Sequence, residues 1–152
     1  SGPRFKQVRR MVAEAGLENV DLVGWIPLAG LPTYIGRASV CLGGHFSLIP
    51  KAARVVATKT YQFLAMARPT VVGDNEATNE ILAHGEEAWL VPMGNAAALA
   101  GAVETLAGDP ALRARLAAGG RRAFQERLST ACLAEHVAAV IEEARCTPAP
   151  LR

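Results

Sequence analysis

The sequence predicts an α/β protein built on a doubly wound parallel sheet. Short apolar runs alternate along the 152-residue chain with segments whose apolar residues recur at helical spacing, which is typical of parallel strands that helices cover on both faces. Hydrophobic residues make up 51% of the chain and charged residues 20%, as in a globular domain rather than a disordered chain. The length is sufficient for one domain with its own core.

The composition also excludes several classes of function. The net charge is only +2, and no dense basic cluster with interleaved aromatic residues occurs, so nucleic acid is not expected as a partner. No apolar run reaches membrane-spanning length, and no signal peptide is expected. Cys41, Cys132 and Cys146 lack metal-type or CxxC spacing, which favours reduced, mostly buried thiols in a cytoplasm.

Two helices and one strand are predicted in the first part of the chain. Phe5, Val8 and Val12 fall at helical spacing, and Gly16 is expected to end that helix. Residues 20–23 predict a short apolar strand, and residues 31–37 predict a single helical stretch.

Three further strands are predicted in the middle of the chain, in "SVCLGG", "PTVVG" and "EAWLVP". Residues 45–57 have no clean period and are expected to form an ordered loop over a site. Thr58 is predicted to cap the helix "KTYQFLAMA", which must stop before Pro69 because the ring forbids continuation. A helix start is predicted at "TNEILAHG".

The remainder is predicted to be helical. Asn95 and the pair Asp109-Pro110 are expected to open helices, Gly119-Gly120 to interrupt the second of these, and Ser129 or Thr130 to open the last. The predicted domain covers residues 1–146, and residues 147–152 are expected to form a loose tail. In a doubly wound sheet, ligands bind beyond the carboxyl ends of the strands.

Five segments, in this order, resemble the carboxy-terminal half of GT-B glycosyltransferases. They are "GLENVDLVGWIP", "LPTYIGRASVCL", "KTYQFLAMARPTVV", "NEILAHGEEAWLVP" and "GNAAALAGAVETLAGDPALRARLAAGGRRAF". The similarity is closest to the retaining family 4, or glycosyl transferases group 1, and runs from about residue 2 to residue 128. The opening "SGPRFKQV" is similar to the end of a family loop that follows a strand, so the chain is expected to begin in mid-domain, without the first two strands of the sheet.

The resemblance implies transfer of a sugar from a UDP- or GDP-linked donor to a glycan, lipid-linked or small-molecule acceptor, without a metal or other cofactor. This half would bind the donor, whereas a missing amino-terminal half would bind the acceptor. The isolated fragment is therefore expected to be inactive as a hexosyltransferase. The full protein is expected in the cytoplasm, with peripheral association at the inner face of the membrane left open.

The family carries two glutamates eight positions apart, one contacting the donor sugar and one the ribose hydroxyls. Here the matching positions hold Arg54 and Gln62, and neither is an acid. The Gln62 amide oxygen can still accept a ribose hydroxyl. Lys59 matches a family lysine and lies at a helix start, where an anion is favoured.

The remaining donor-binding candidates follow the predicted strands. Each also has a structural interpretation, as a turn, a surface charge or a core residue. They are Gly43, Gly44, His45, Asp74, Glu80 and, for packing against the base, Ile26.

Two other functions fit the same fold. Arg54 and Gln62 favour a non-catalytic relative that acts as a nucleotide-binding or assembly module. A nucleotide-sugar epimerase of GT-B fold is weaker, because the acids and histidines that it needs cannot be placed in this sequence.

Overall fold

In a computed structural model that describes residues 4–146, the chain forms two compact units that divide between Tyr34 and Ile35. The first unit holds α1 (Phe5–Glu14), a 3-10 turn and most of α2 (Leu31–Gly36). The second holds β1 (Cys41–Leu42), a 3-10 helix (Pro50–Arg54), α3 (Thr58–Ala65), β2 (Thr70–Asp74), α4 (Glu76–Asn79), β3 (Trp89–Pro92), α5 (Ala96–Gly108), α6 (Pro110–Ala123), a π-helical turn (Phe124–Leu128) and α7 (Thr130–Cys146). The predicted tail lies outside the described residues.

The three described strands form one parallel sheet in the order β1-β2-β3. Cys41 pairs with Thr70, and Val71 pairs with Trp89. Each crossover between neighbouring strands contains helix, as parallel pairing requires. The predicted α/β class with a parallel sheet is therefore confirmed.

Two apolar clusters cover the two faces of the sheet. Val71 packs with Val91, Leu106 and Leu116 on the face of α5 and α6. Its neighbour Val72 points to the other face, where it joins a cluster with Leu64 of α3. Both valines are fully buried, since successive side chains of a strand point to opposite faces.

The predicted strand at residues 20–23 is wrong. No strand forms there, and Val20 and Val23 are 39% and 46% exposed. A strand needs a neighbour for its backbone N–H and C=O groups, and the strands of residues 4–146 pair only with one another. An apolar run alone predicts the strand but not the presence of its partner.

Gly119 and Gly120 do not interrupt α6, contrary to prediction. Both are buried within the helix. A Cβ at Gly119 would collide with the main chain at Glu86, and one at Gly120 would lie 2.6 Å from Leu64 Cδ2 and 2.7 Å from the Glu87 carbonyl oxygen. The two glycines therefore allow α6 to pack closely against the segment before β3, and they do not break the helix.

The predicted helix starts at Asn95 and Asp109 are confirmed, whereas Thr58 is not a cap. Asn95 Oδ1 accepts a hydrogen bond from the Ala98 N–H at 2.9 Å, and Asp109 Oδ1 accepts one from the Leu112 N–H at 2.8 Å. In α3 the N-cap is Ala57, no side chain caps the helix, and Thr58 is its first residue. In the first turn of α3, the Thr60 N–H donates to the Ala57 carbonyl group at 2.8 Å, whereas the N–H groups of Thr58 and Lys59 are not capped.

Substituting Gly120 by alanine is expected to lower the free energy of unfolding by about 1–3 kcal/mol, because the added methyl group overpacks the contact with the Glu87 carbonyl. Gly101 of α5 is the matched control, since a Cβ there meets nothing within 4 Å. Gly101→Ala is expected to raise the stability by about 0.5–1 kcal/mol through helix propensity. Urea unfolding of both variants measures the two free energies of unfolding. An equal change in both variants would contradict the close approach of α6 to Glu87.

Candidate functional site

The candidate site lies in the second unit, where the carboxyl ends of β1 and β2 meet the amino end of α3. Gly43 directly follows β1, Asp74 ends β2, and Lys59 lies in the first turn of α3. In a parallel sheet these ends lie on one edge, which is where ligands of doubly wound folds bind.

The glycine pair after β1 is required by packing. Gly43 is buried, and a Cβ on it would lie 2.6 Å from Thr60 Oγ1 and 2.9 Å from Val72 Cγ1. Gly44 has φ +74°, a left-handed conformation that favours glycine, and the Gly44–His45 peptide bond is cis. The Thr60 hydroxyl beneath the pair is buried and has no hydrogen-bond partner among the described residues.

Lys59 places a positive charge beside this glycine turn. A Cβ on Gly44 would lie 3.6 Å from Lys59 Cε and 3.7 Å from Nζ, so the ammonium group stands close to the main chain at Gly44. The surrounding protein partly desolvates this ammonium group and lowers its pKa from 10.5, although the residue as a whole stays exposed. No carboxylate of residues 4–146 pairs with it.

Gln62 follows Lys59 by three residues, so the two side chains lie on one face of α3. Thr60 and Leu64 form the buried face of the helix. Gln62 is half-buried, and its amide group makes no hydrogen bond to another described residue. An amide with unused donors and acceptors therefore stands one helical turn beyond the lysine.

The main chain at His45 covers the end of β2. A Cβ on Gly73 would collide with the His45 carbonyl group and with the sulfur of Met93. His45 is thus half-buried and its contact with β2 is made by its backbone. Neither Gly73 nor Met93 was predicted as a site residue; a glycine at the end of a buried strand was the available signal.

Asp74 is exposed at the end of β2 and is held by its neighbour in α4. Asn79 Nδ2 donates a hydrogen bond to Asp74 Oδ1 at 2.8 Å. Asn75 is instead occupied as the helix N-cap, because its Oδ1 accepts from the Thr78 N–H at 2.9 Å. The carboxylate of Asp74 is therefore oriented, with its second oxygen available to a ligand.

The predicted position of Glu80 near the start of a helix is wrong. The helix begins at Glu76, and Glu80 follows its last residue, in an exposed position. The cap at Asn75 starts the helix earlier than the apolar pattern indicates. Arg54 is exposed at the end of the 3-10 helix, which contacts α4.

Ile26 belongs to the first unit, where it is half-buried. A Cβ on Gly30 would lie 3.3 Å from Ile26 Cγ2. Its contact with a base stays a prediction.

The structure describes the side chains of two of the three cysteines. Cys41 and Cys132 are free, and burial raises the pKa of the Cys41 thiol. The side chain of Cys146 lies outside the described part. Within residues 4–146, no helix has both the length and the apolar character that crossing a bilayer requires.

A model of the family glycosyl transferases group 1 matches residues 1–109. The chain is 30% identical over 129 residues to the lipopolysaccharide core biosynthesis glycosyltransferase LpsD of Rhizobium meliloti, covering 84% of this chain and 35% of that protein. It is 23% identical over 143 residues to the alpha-D-kanosaminyltransferase of Streptomyces kanamyceticus, covering 93% and 36%. The chain thus spans about a third of the length of these relatives.

The fold is also similar to solved glycosyltransferase structures. Anabaena Alr3699/HepE in complex with UDP and glucose superposes with a TM-score of 0.76 at 19% identity, over 91% of this chain and 36% of that one. This similarity identifies the fold as that of the carboxy-terminal half of GT-B proteins.

Substituting Gly73 by alanine is expected to displace the loop at His45 and to lower the free energy of unfolding by about 1–3 kcal/mol or more, because the methyl group meets backbone that cannot rotate away. Gly108→Ala is the control, since a Cβ there meets nothing within 4 Å. Urea unfolding and the amide NMR shifts of residues 43–46 measure both effects. An unchanged stability and unchanged loop shifts in Gly73→Ala would contradict this packing.

Proposed function

The chain belongs to the glycosyl transferases group 1 family, and we propose that it is the part of a retaining glycosyltransferase that binds the nucleotide-sugar donor. The observation that carries the proposal is the position of Lys59, whose ammonium group stands against Gly44 at the uncapped start of α3. This arrangement lies at the carboxyl edge of the sheet, where the fold binds ligands.

The diphosphate of the donor is assigned to the start of α3. The unsatisfied N–H groups of the first turn and the helix dipole favour an anion there, and Lys59 adds a full charge that no described carboxylate neutralises. Gly44 carries no side chain, so a phosphate oxygen can approach the main chain and the ammonium group together.

The ribose is assigned to Gln62. Its amide oxygen accepts a hydrogen bond from a ribose hydroxyl in place of a carboxylate. Because a charge-assisted hydrogen bond is roughly twice as strong as a neutral one, the glutamine binds the ribose more weakly than an acid at this position would. UDP is the first candidate nucleotide, because the similar HepE structure contains UDP.

The sugar of the donor is assigned to the loop at His45 and to the acids after β2. Asp74 is the better oriented of these, since Asn79 holds one of its oxygens. Glu80 and Arg54 are both exposed near α4 and are assigned to the outer part of the same subsite.

In the reaction, the bond between the anomeric carbon and the donor phosphate oxygen breaks, and the oxygen of an acceptor hydroxyl group bonds to that carbon with retention. The hydroxyl proton passes to the departing diphosphate. Lys59 and the start of α3 stabilise the negative charge that develops on the departing diphosphate. No cofactor is proposed, because the donor is itself the substrate. A hexose is the proposed sugar.

The acceptor is proposed to bind to the rest of a longer protein, so that the 152-residue chain alone is inactive. The relative LpsD acts in lipopolysaccharide core biosynthesis, which supports a glycan or lipid-linked acceptor. The proposed location is the cytoplasm, at the inner face of the membrane.

A second candidate function is a non-catalytic nucleotide-binding or assembly module. Arg54 and Gln62 favour it, because both stand where the family resemblance implies acids. An assembly module has no need of a donor, so donor binding excludes that form of the second candidate. Sugar transfer by the longer protein distinguishes the first candidate from the nucleotide-binding form.

Titration of the 152-residue chain with UDP, GDP and ADP, followed by amide NMR, tests the proposal. One nucleotide is expected to give saturable shifts at Lys59, Gln62 and Gly44. Lys59→Gln is expected to raise the Kd about tenfold or more, because it removes a charge-assisted contact. Lys6→Gln, on the exposed surface of α1, is the matched control and is expected to leave the Kd unchanged. A folded chain with no shift for any nucleotide would favour the assembly module.

The affinity for this nucleotide is expected to fall as the pH rises through the pKa of Lys59. Desolvation holds that pKa below 10.5 in the free protein, and a bound diphosphate stabilises the ammonium form, so binding takes up a proton in this pH range. Calorimetric titrations at a series of alkaline pH values measure the loss. In Lys59→Gln, the loss of affinity that comes from deprotonation of Lys59 is expected to vanish. Only the pH dependence caused by titration of the nucleotide itself should remain. Identical pH profiles for the two proteins would exclude Lys59 from the contact.

A further inference from the structure

A cavity lies at the edge of the sheet opposite the candidate donor site, where the strands begin. Its volume is about 310 Å³, and its lining includes Ser39, just before β1, and Pro69, just before β2. Because the strands are parallel, this edge is opposite the candidate donor site.

Three arginines line this cavity and no acidic residue does. Arg37, Arg68 and Arg113 come from three different segments of the second unit. None of the three forms an ion pair with a carboxylate of residues 4–146. Three like charges at one cavity repel one another, so an anion that enters is favoured by all three.

Main-chain carbonyl groups hold two of these guanidinium groups in place. Arg68 donates from Nε to the Met66 carbonyl and from Nη1 to the Gly36 carbonyl, each at 3.2 Å. Arg113 donates from Nη1 to the carbonyl groups of Leu106 and Ala107. Both groups are therefore positioned before any ligand binds, which reduces the entropy lost on binding.

Donors remain on all three side chains. The hydrogen bonds of Arg68 and Arg113 leave their Nη2 groups unused, and the guanidinium group of Arg37 forms no hydrogen bond or ion pair with another described residue. Planar guanidinium groups with paired donors match the oxygens of a phosphate group. Arg37 and Ala114 are exposed, so solvent reaches the cavity.

We propose that this cavity binds a phosphate group, either as free phosphate or as the phosphomonoester of a small molecule. The site is independent of the proposed donor function, because it uses other residues at the other edge of the sheet. Arg68 and Arg113 form its fixed part, and Arg37 closes on the anion from the exposed side.

NMR of the arginine Nε–H groups in the 152-residue chain, titrated with inorganic phosphate at constant ionic strength, tests the proposal. Saturable shifts of Arg37, Arg68 and Arg113 are expected, and they should persist in Lys59→Gln. A parallel titration with a sugar phosphate distinguishes the two sources: tighter binding identifies a phosphomonoester, and equal binding identifies free phosphate.

Two matched pairs of variants decide the result without disturbing the anchored arginines. Arg37→Gln is expected to raise the Kd about tenfold or more, whereas Arg115→Gln, on an exposed position of α6 outside the cavity, should not change it. Ala114→Glu places a negative charge at the cavity and is expected to abolish binding, while Ala114→Gln preserves it. The proposal would be overturned if the NMR shifts were equal for all arginines and did not saturate with phosphate. Loss of phosphate binding in Lys59→Gln would also overturn it.

Discussion

The burial of β2 on both of its faces is the constraint on which the rest of the second unit depends. Val71 and Val72 are fully buried in opposite apolar clusters, so helices must cover both faces of a strand only five residues long. The main chain can then approach neighbouring atoms closely only where its own side chains are missing. Gly43, Gly73 and Gly120 are three such places, and they connect the sheet to the loop after β1 and to α6.

The same constraint produces the chemistry of the carboxyl edge. Since Gly43 lets the loop after β1 lie against α3, the main chain at Gly44 comes next to the Lys59 ammonium group. The charge then stands at the start of an uncapped helix and is partly desolvated, which lowers its pKa. A site for an anion arises here from packing and charge together, with no single motif sufficient to specify it.

At the amino edge of the sheet, positively charged side chains are held in place in a different way. There, Arg68 and Arg113 are held by main-chain carbonyl groups rather than by carboxylates. A carbonyl group orients a guanidinium group but leaves its charge uncompensated, whereas a carboxylate would neutralise it. Both edges thus hold positively charged side chains that no described carboxylate pairs with, although they are built from unrelated segments.

The sequence by itself determined the α/β class, the three paired strands and the helix starts at Asn95 and Asp109, because periodicity and capping act within a few residues. It placed Lys59 at a helix start and Asp74 at a strand end for the same reason. Tertiary structure decided what depends on distant partners. Residues 20–23 have strand-like side chains but pair with no strand of residues 4–146. Gly119-Gly120 break no helix, because the chain before β3 packs against them. The cavity of three arginines is likewise invisible in the sequence, since its residues lie far apart along the chain and meet only when the strands align.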